Sequence, residues 1–589
     1  MKRQSVTAAL IVMVGLAPAA TAQAQISETR IRELIQQAAQ NTTAPRDQQT
    51  QAPGQTRPVV PLTLEDAVKF ALDRNLDIAV QRLNPEISDI AVASIRAVYH
   101  PSLTSTVGTQ STTTPANSTL SGSNTVGAPV VAGVSTYNGG VAQNVPWGGG
   151  SFTLALNNNR STTTSLNNLF NPTYNTFWSG SYTQPLLRNL RIDSTRQQLA
   201  VTRINRDISD VQLRATIVNT LSNVRNAYWD YVYAVQSVDV AKQSVDLAEQ
   251  LVKDNQTRVE VGTMAPIDVV QAQSQAATAR QNLAVAQQTR NTAELALKRL
   301  IVGGTQDPNW TAELNPVDRP DFSPQAIDVE SAVRRALSER TDLDIARKNV
   351  QANDVTLKYL GDQVKPQVDF VGSYGLTGLG GSRYLYPEGT TGVNRTPIGS
   401  VPGGYSDSLS NLFKASNPRW VAQINFSYPL GLSSQEASIA RARVQLNQVN
   451  AQMRQIELQV ATDVTNAAVT AQSNVDRVQA AQAARELAQK QLEAEQSKFE
   501  VGMSTNYNVI QSQRDLATAQ SNELQAVLNY RKSIVELERL QQTTLQSLSV
   551  TIVSAATGGS TTNTGTGTNT GTNTGTGTNT GTTNRPGGQ

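Results

Sequence analysis

"VGTMAPIDVVQAQSQ", residues 261–275, and "VGMSTNYNVIQSQRD", residues 501–515, are nearly the same phrase set 240 residues apart. Each closes one long Ala/Gln-rich run and opens another. Before the first copy, Val224, Ala227, Tyr231, Ala234, Val238, Ala241, Val245, Ala248 and Val252 step by three and four. That is the spacing of a coiled-coil seam, with alanines that let helices approach closely. The pattern resumes from Val269 to Leu300, and a looser version runs through Val464, Ala467, Ala471, Val478, Ala481, Ala488, Leu492 and Phe499. Gly262 and Gly502 are placed to end the incoming helix in the left-handed conformation. Pro266 is tolerated only near a helix start. Each phrase is therefore predicted to be the tip of an antiparallel helical hairpin. A helix from Arg191 to Val259 would carry its tip roughly 100 Å from its start.

Other phrases also occur twice. "LTLEDAVKFALDRNLDIAV" from Leu62 is echoed by "IDVESAVRRALSERTDLDIA" from Ile327, and Pro101 in "YHPSLTSTVG" by Pro366 in "VKPQVDFVGS". "LNNLF" at 166–170 returns as "LSNLF" at 409–413, and "SYTQPL" at 181–186 as "SYPL" at 427–430. The chain thus reads as an internal duplication. A first repeat spans 62–302, with strands about 98–187 and a helical hairpin about 190–302. A connector follows at 303–326, then a second repeat at 327–548 with strands about 364–430 and a hairpin about 432–548. Trp420, Ala422, Ile424, Phe426, Tyr428 and Leu430 alternate with Val421, Gln423, Asn425 and Ser427. This is the pattern of a strand with one apolar and one polar face, which suits a membrane barrel and also any half-buried sheet. Residues 130–160 read as an extra hairpin between the first two strands, expected as an external loop.

Composition narrows the function. Charged residues make up 16% and aromatics 5% of the 589 residues, and the net charge of +3 offers no basic field for nucleic acid. There is no cysteine, and His100 is the single histidine, so thiolate metal sites and His-based nucleophilic engines are excluded or nearly so. No catalytic site, cofactor or metal is expected. Lys2 and Arg3, an apolar stretch from Val6 to Ala17 and "AQA" at 22–24 form a secretory signal over 1–24. Residues 25–61 read as an N-terminal segment and linker, and 549–589 as a disordered Gly/Thr/Asn-rich tail. No later apolar run reaches the ~18 residues of a transmembrane helix, so any membrane crossing must use strands. Four strands per chain cannot close a barrel, because small barrels need about eight. Several chains must pool their strands, and three copies would give about twelve.

The duplication, the Pro-initiated strand pairs, the "LTLEDAV…ALDRN" opening and the two "VG" tips, in this order, resemble the TolC-like outer-membrane factors over residues 62–548. The resemblance implies a mixed α and β fold: a long antiparallel coiled-coil α-barrel joined to a trimeric twelve-stranded transmembrane β-barrel. It implies a homotrimer in outer-membrane lipid that meets a periplasmic adaptor protein and an inner-membrane transporter, and conducts cargo passively. The adaptor-docking tips carry over onto Val261, Gly262 and Thr263, and onto Val501, Gly502 and Met503, the last departing from the family residue. The periplasmic entrance carries over onto Asp268, Asn508 and Gln511. Asn508 and Gln511 are neutral where better-known members are acidic, and Ser504 stands where an Arg partner is usual, so no acidic gate ring or salt-bridge latch is expected. The alternative reading is a trimeric coiled-coil adhesin or stalk. It conflicts with mid-helix Gly turns, since a stalk would run one parallel helix per chain. The cargo, and efflux as against type I secretion, stay open.

Overall fold

A computed structural model describes residues 58–550, apart from 119–121, 124, 126, 320–321, 325, 389–396, 432 and 549. The expected signal at 1–24, and most of the segment 25–61 and of the tail 549–589, lie outside the described residues.

Two helices dominate. α3 (Ser194–Glu260) and α8 (Ser434–Glu500) each run 67 residues, or about 100 Å. Their starts are capped by side chains. Asp193 accepts the Arg196 amide, and Ser433 and Glu436 form a reciprocal capping box. α3 turns back into α4 (Pro266–Ile301), and α8 into α9 (Asn506–Leu540). The four lie side by side in the order α4–α3–α9–α8. The seams read from sequence are the contacts. Val245 and Ala248 of α3 pack on Ala276 and Ala279 of α4, and Leu492 and Phe499 of α8 cluster with Val509, Ile510 and Leu516 of α9.

Shorter helices dock on this frame. α1 (Leu64–Arg74) and α2 (Leu76–Arg96) precede the first long hairpin, and α5 (Val329–Glu339) and α6 (Thr341–Gln363) precede the second. α2 lies against α3, while α6 fills the space between α3 and α8. Leu76, Val80, Leu83, Ile87 and Ile90 of α2 form an exposed stripe at helical spacing.

Strands β1 (Val59–Leu62) and β6 (Glu313–Pro316) pair in parallel and are clamped to the middle of α3. The Tyr228 hydroxyl lies 3.1 Å from the Leu62 carbonyl and 2.8 Å from the Asp318 carboxylate, and the Tyr231 hydroxyl donates to the Leu314 carbonyl. Burial, with Asp318 beside Tyr228 and Glu294 beside Tyr231, pushes both phenols above their ordinary range, so both remain donors. On α4, Lys298 Nζ sits 2.6 Å from the Glu294 carboxylate with both side chains almost wholly buried, and it also donates to the Ala312 carbonyl.

The second sheet changes the sequence expectation. Its long strands are β2 (Ser102–Thr114), β3 (Val130–Asn144), β4 (Ser151–Thr163), β5 (Phe170–Pro185), β7 (Gln367–Leu385) and β9 (Pro418–Ser427), with a short β8 (Gly399–Val401). Neighbours run in the order β2–β3–β4–β5–β7, with β9 along the first half of β7 and β8 along its end. The chain therefore supplies six long strands, not four. The expected external loop at 130–160 is the β3–β4 hairpin, hydrogen-bonded between β2 and β5. Its turn lies near the start of the long helices: Gln184 Nε2 donates to the Gly148 carbonyl at 2.8 Å, and a Cβ on Gly149 would lie 2.5 Å from the Asn189 carbonyl.

The register assigns the faces, because partners directly opposite one another share a side. Leu103, Val107, Tyr137, Val141, Phe152, Leu154, Leu156, Trp178, Tyr182, Phe370, Tyr374, Trp420, Ile424 and Phe426 fall on one face. Thr104, Thr106, Thr136, Asn138, Thr153, Asn157, Ser179, Ser181, Ser373, Gln423 and Asn425 fall on the other. A helix α7 (Tyr405–Phe413), in the β7–β9 connection, packs on β7 and β5, where Ser408 Oγ donates to the Gly378 carbonyl at 2.9 Å. Gly378 and Gly380 make room for it, since a Cβ on either would strike the α7 backbone.

Candidate functional site: the paired helical tips

At the first tip the Thr263 amide donates to Arg258 O at 2.9 Å and the Gly262 amide to Val259 O at 3.0 Å. At the second, the Met503 amide donates to Lys498 O at 2.8 Å and the Gly502 amide to Phe499 O at 3.2 Å. These are two Schellman turns. Each satisfies the last helix carbonyls through a glycine in the left-handed region, at φ 77° for Gly262 and 79° for Gly502. Side chains other than Asn resist that conformation by roughly 1–2 kcal/mol. Around both glycines the space is open: a Cβ would meet nothing within 4 Å.

What the turns present is apolar. Val261 is 69% exposed, Val501 70% and Met503 79%, with Ile267 and Tyr507 also exposed. Thr263 turns its hydroxyl back to Arg258 O at 3.0 Å. The next helices start differently. α4 has Pro266 at its first position and no side-chain cap, whereas Thr505 caps α9 by accepting the Asn508 amide. At the second tip Ser504 and Lys498 each donate to Glu495 at 2.7 Å. Those bonds, Lys498 first, hold its carboxyl below the usual carboxylate range.

The two tips are bolted together. Arg258 places its guanidinium 4.4 Å from the centre of the Phe499 ring and donates to Phe499 O at 3.1 Å. Asn255, wholly buried, donates to Asn506 Oδ1 at 2.8 Å, and Asn506 donates in turn to Asp268 O at 3.2 Å. Sequence reading missed Asn255, Arg258 and Asn506. The available signal was three polar residues on otherwise small-and-apolar seams.

Asp268 is half-buried in the first turn of α4, where the helix dipole favours an acid. Asn508 and Gln511 lie exposed on one face of α9. Gln511 Nε2 donates at 2.9 Å to Asp515, an exposed acid one turn deeper that sequence reading did not single out. Arg514 reaches across to α4 and donates to the neutral Gln275 Oε1 at 2.8 Å. Asp268 belongs to the junction between the tips, while Asn508 and Gln511 share a separate open face with Asp515. Among the described residues no group of His, Asp or Glu side chains is placed to hold a metal ion, and no helix is long and apolar enough to cross a membrane.

The family model described as outer membrane efflux protein matches residues 151–303 and 332–541. No curated protein sequence matches. Among solved structures, the CmeC outer membrane channel of Campylobacter jejuni is similar over 81% of this chain and 85% of its own, with 13% identity and a TM-score of 0.57. The outer membrane protein VceC of Vibrio cholerae covers 81% of this chain and 95% of its own, with 13% identity and a TM-score of 0.55. The open-state MtrE outer membrane channel of Neisseria gonorrhoeae covers 81% and 88%, with 16% identity and a TM-score of 0.53. At these identities the likeness is one of fold.

Proposed function

The chain belongs to the outer membrane efflux protein family, and we propose on that premise that three copies form a passive exit duct across the outer membrane. Its long helices reach into the periplasm, toward an adaptor protein and an inner-membrane transporter. One observation carries the reading: the large exposed side chains of the second sheet gather on one face, with Leu379 an exception. Leu103, Val107, Tyr137, Leu154, Tyr182, Phe370, Tyr374, Trp420, Ile424 and Phe426 are all exposed and all on the same side. Each such side chain gains roughly 1.5–3 kcal/mol when fully taken out of water. α7 covers one end of this face, at Thr176, Gly378 and Gly380; hydrocarbon covers the remainder without another protein layer.

Copies of the chain meet along their flanks. One flank carries the α2 stripe from Leu76 to Ile90, and Ile267, Val270, Val285 and Leu295 of α4. The opposite flank carries Val444, Leu458, Val469 and Leu487 of α8. Both flanks are apolar and uncovered in the single chain. Closing them against each other gives a ring in which α3 and α9 are interior walls. The tips are then the periplasmic mouth: Val261, Gly262 and Thr263, with Val501, Gly502 and Met503, offer two similar apolar turns per copy for adaptor helices. Asp268, Asn508 and Gln511 stand at that mouth. Energy for transport comes from the inner-membrane partner.

Membrane fractionation followed by light scattering in detergent tests the reading. The expected result is an outer-membrane species of three chains. A folded monomer, or a protein recovered only in the soluble fraction, would sink it.

A further inference from the structure

We propose that each chain contributes six strands to a single closed barrel, so that three copies enclose eighteen. The inference rests on the trimeric duct proposed above and fixes the calibre of its outer end. Four observations lead to it. First, β2, β3, β4, β5, β7 and β9 form one uninterrupted antiparallel ladder, and β2 meets β3 along its full length from Ser102 to Thr114. Second, the added hairpin is fastened at both ends of its turn. Val145 N donates to Gly150 O at 2.7 Å, Gln184 holds Gly148 O, and left-handed Gly149 sits where a side chain would strike Asn189 O. Third, from Thr136 to Leu156 the hairpin keeps the division of faces. Tyr137, Val141, Leu154 and Leu156 continue the apolar side, and Thr136, Asn138, Thr153 and Asn157 the polar one. A loop outside the membrane has no need of that alternation, whereas a lipid-facing strand does.

The fourth observation is parity. Inserting two strands leaves β2 and β5 antiparallel to each other, so the downstream path is unchanged. The free edges are β2 and β9, and across six alternating strands they too run in opposite directions. Every residue of β2 and nearly all of β9 are exposed. An unpaired edge is not tolerated in hydrocarbon. The occupant that fits both edges is a second copy of this chain, its β9 against the first copy's β2.

Barrel diameter grows nearly in proportion to strand number, and barrels of about 16–18 strands leave an aqueous channel. The wall of this one is largely Ser, Thr, Asn and Gln, with Phe177, Val371, Leu379 and Val421 among them, and the charged side chains on this face among the described strand residues are Asp369, Arg383 and Arg419. Such a mouth suits bulky polar solutes.

The chain has no cysteine, so introduced pairs report cleanly. In the full-length protein purified from membranes, Val107→Cys with Tyr137→Cys, and Asn157→Cys with Phe177→Cys, should each oxidise to a disulfide within one chain. Val107→Cys should give none with cysteines scanned through 176–182 of β5. Ser105→Cys, scanned against 420–426 of β9, should give a ladder of chains crosslinked to one another. Disulfides between β2 and β5, or failure of the β2–β3 pair, would overturn the eighteen-stranded barrel. Absence of any β2–β9 ladder would overturn the pairing of edges. Uncharged polymers added from the outer side measure the barrel apart from the periplasmic mouth. Deleting residues 130–163 should lower the largest polymer radius admitted by about a third, as a fall from eighteen strands to twelve implies. An unchanged cut-off counts against the proposal. The crosslinks decide the matter in the full-length chain however the deletion variant folds. Light scattering separates the two levels: a chain that is not trimeric defeats the duct reading, while a trimer with β2–β5 disulfides defeats this inference alone.

Discussion

α3 and α8 have the same length, similar caps and the same glycine turn at their ends, yet they live in different surroundings. Nineteen residues of α3 are buried, among them Tyr228, Trp229, Tyr231 and Arg225, against nine of α8. Sequence pattern alone does not account for the gap, since both helices carry a seam. Position does: α3 lies between α4 and α9 with α2 and α6 on its upper part, whereas α8 has α9, α5 and α6 on one side and open solvent on the other. A helix can be long, regular and well capped and still be finished only by a neighbour.

The sharpest way to break this comparison is to remove one charge from each hairpin. Lys298→Met leaves Glu294 buried without its cation, which costs roughly 3–5 kcal/mol. Chemical denaturation should show the loss in the first hairpin. Lys490→Met on α8 removes an ion pair with Glu486 that is well exposed on both sides, so no measurable change is expected there. Equal losses at the two positions would mean that the difference in burial carries no energy.

The second test concerns what covers the open flanks. Leu83→Gln with Ile87→Gln should leave the helicity of the single chain intact, because both side chains face away from it. If a neighbouring copy covers them, each substitution forfeits up to about 1.5–3 kcal/mol per seam, and the trimer fraction in detergent should fall at least about tenfold. A trimer unaffected by both changes would show that this stripe is not a seam.

Smaller effects belong to the tips. Gly262→Ala and Gly502→Ala should each cost about 1 kcal/mol, from the left-handed backbone alone, since the space around both is empty. Gly262→Asn, which tolerates that backbone, should restore stability. It should still lower crosslinking to the adaptor if a partner helix approaches there. Stability and crosslinking that recover together would leave the tip as a plain turn. Smallest is a pH effect that the tips do not share. Glu495, held below the usual carboxylate range, stabilises the second tip above about pH 4.3, the ordinary Glu value. That contribution fades as pH falls through its depressed folded value. Protection of amides 501–505, taken relative to intrinsic exchange, should therefore fall in acid more than at 261–265, and Glu495→Gln should abolish the difference.

Much of this was legible beforehand. Three-and-four spacing, paired glycines and Pro266 placed the hairpins, and Trp420 to Leu430 showed a strand with two unlike faces. Within the β3–β4 hairpin, "SFTLALNNN" puts Phe152, Leu154 and Leu156 on one side, but β3 gives no such signal, for a physical reason. In "VVAGVSTYNGGVAQN" the strand formers Val, Thr and Tyr are broken up by Gly133, Ser135, Asn138, Gly139 and Gly140, residues with weak strand propensity of their own. Their strand state comes from the partners on either side. β2, reading "SLTSTVGTQSTTT", carries only Leu103 and Val107 as large apolar residues, so its periodicity is equally thin. The bolt between the tips was hidden differently. Asn255 and Asn506 are 251 positions apart, and a buried asparagine is cheap only when its partner is known. Asp515 gives no signal in sequence, because an exposed acid on a helix face is ordinary there.

The order of elements across the chain has a genetic consequence. β2, α2 and α4 all lie on one flank, and β9 and α8 on the other, so the proposed ring would be built head to tail and every copy would take part in two seams. A variant ruined on one flank still has a sound flank to offer, and it enters rings that it cannot complete. With equal amounts of wild-type and variant chains mixing at random, only about one ring of three in eight contains no variant. Such alleles should act dominantly, poisoning export in cells that still carry a good copy. Two alleles broken on opposite flanks should not rescue each other, because a closed ring uses both flanks of every member.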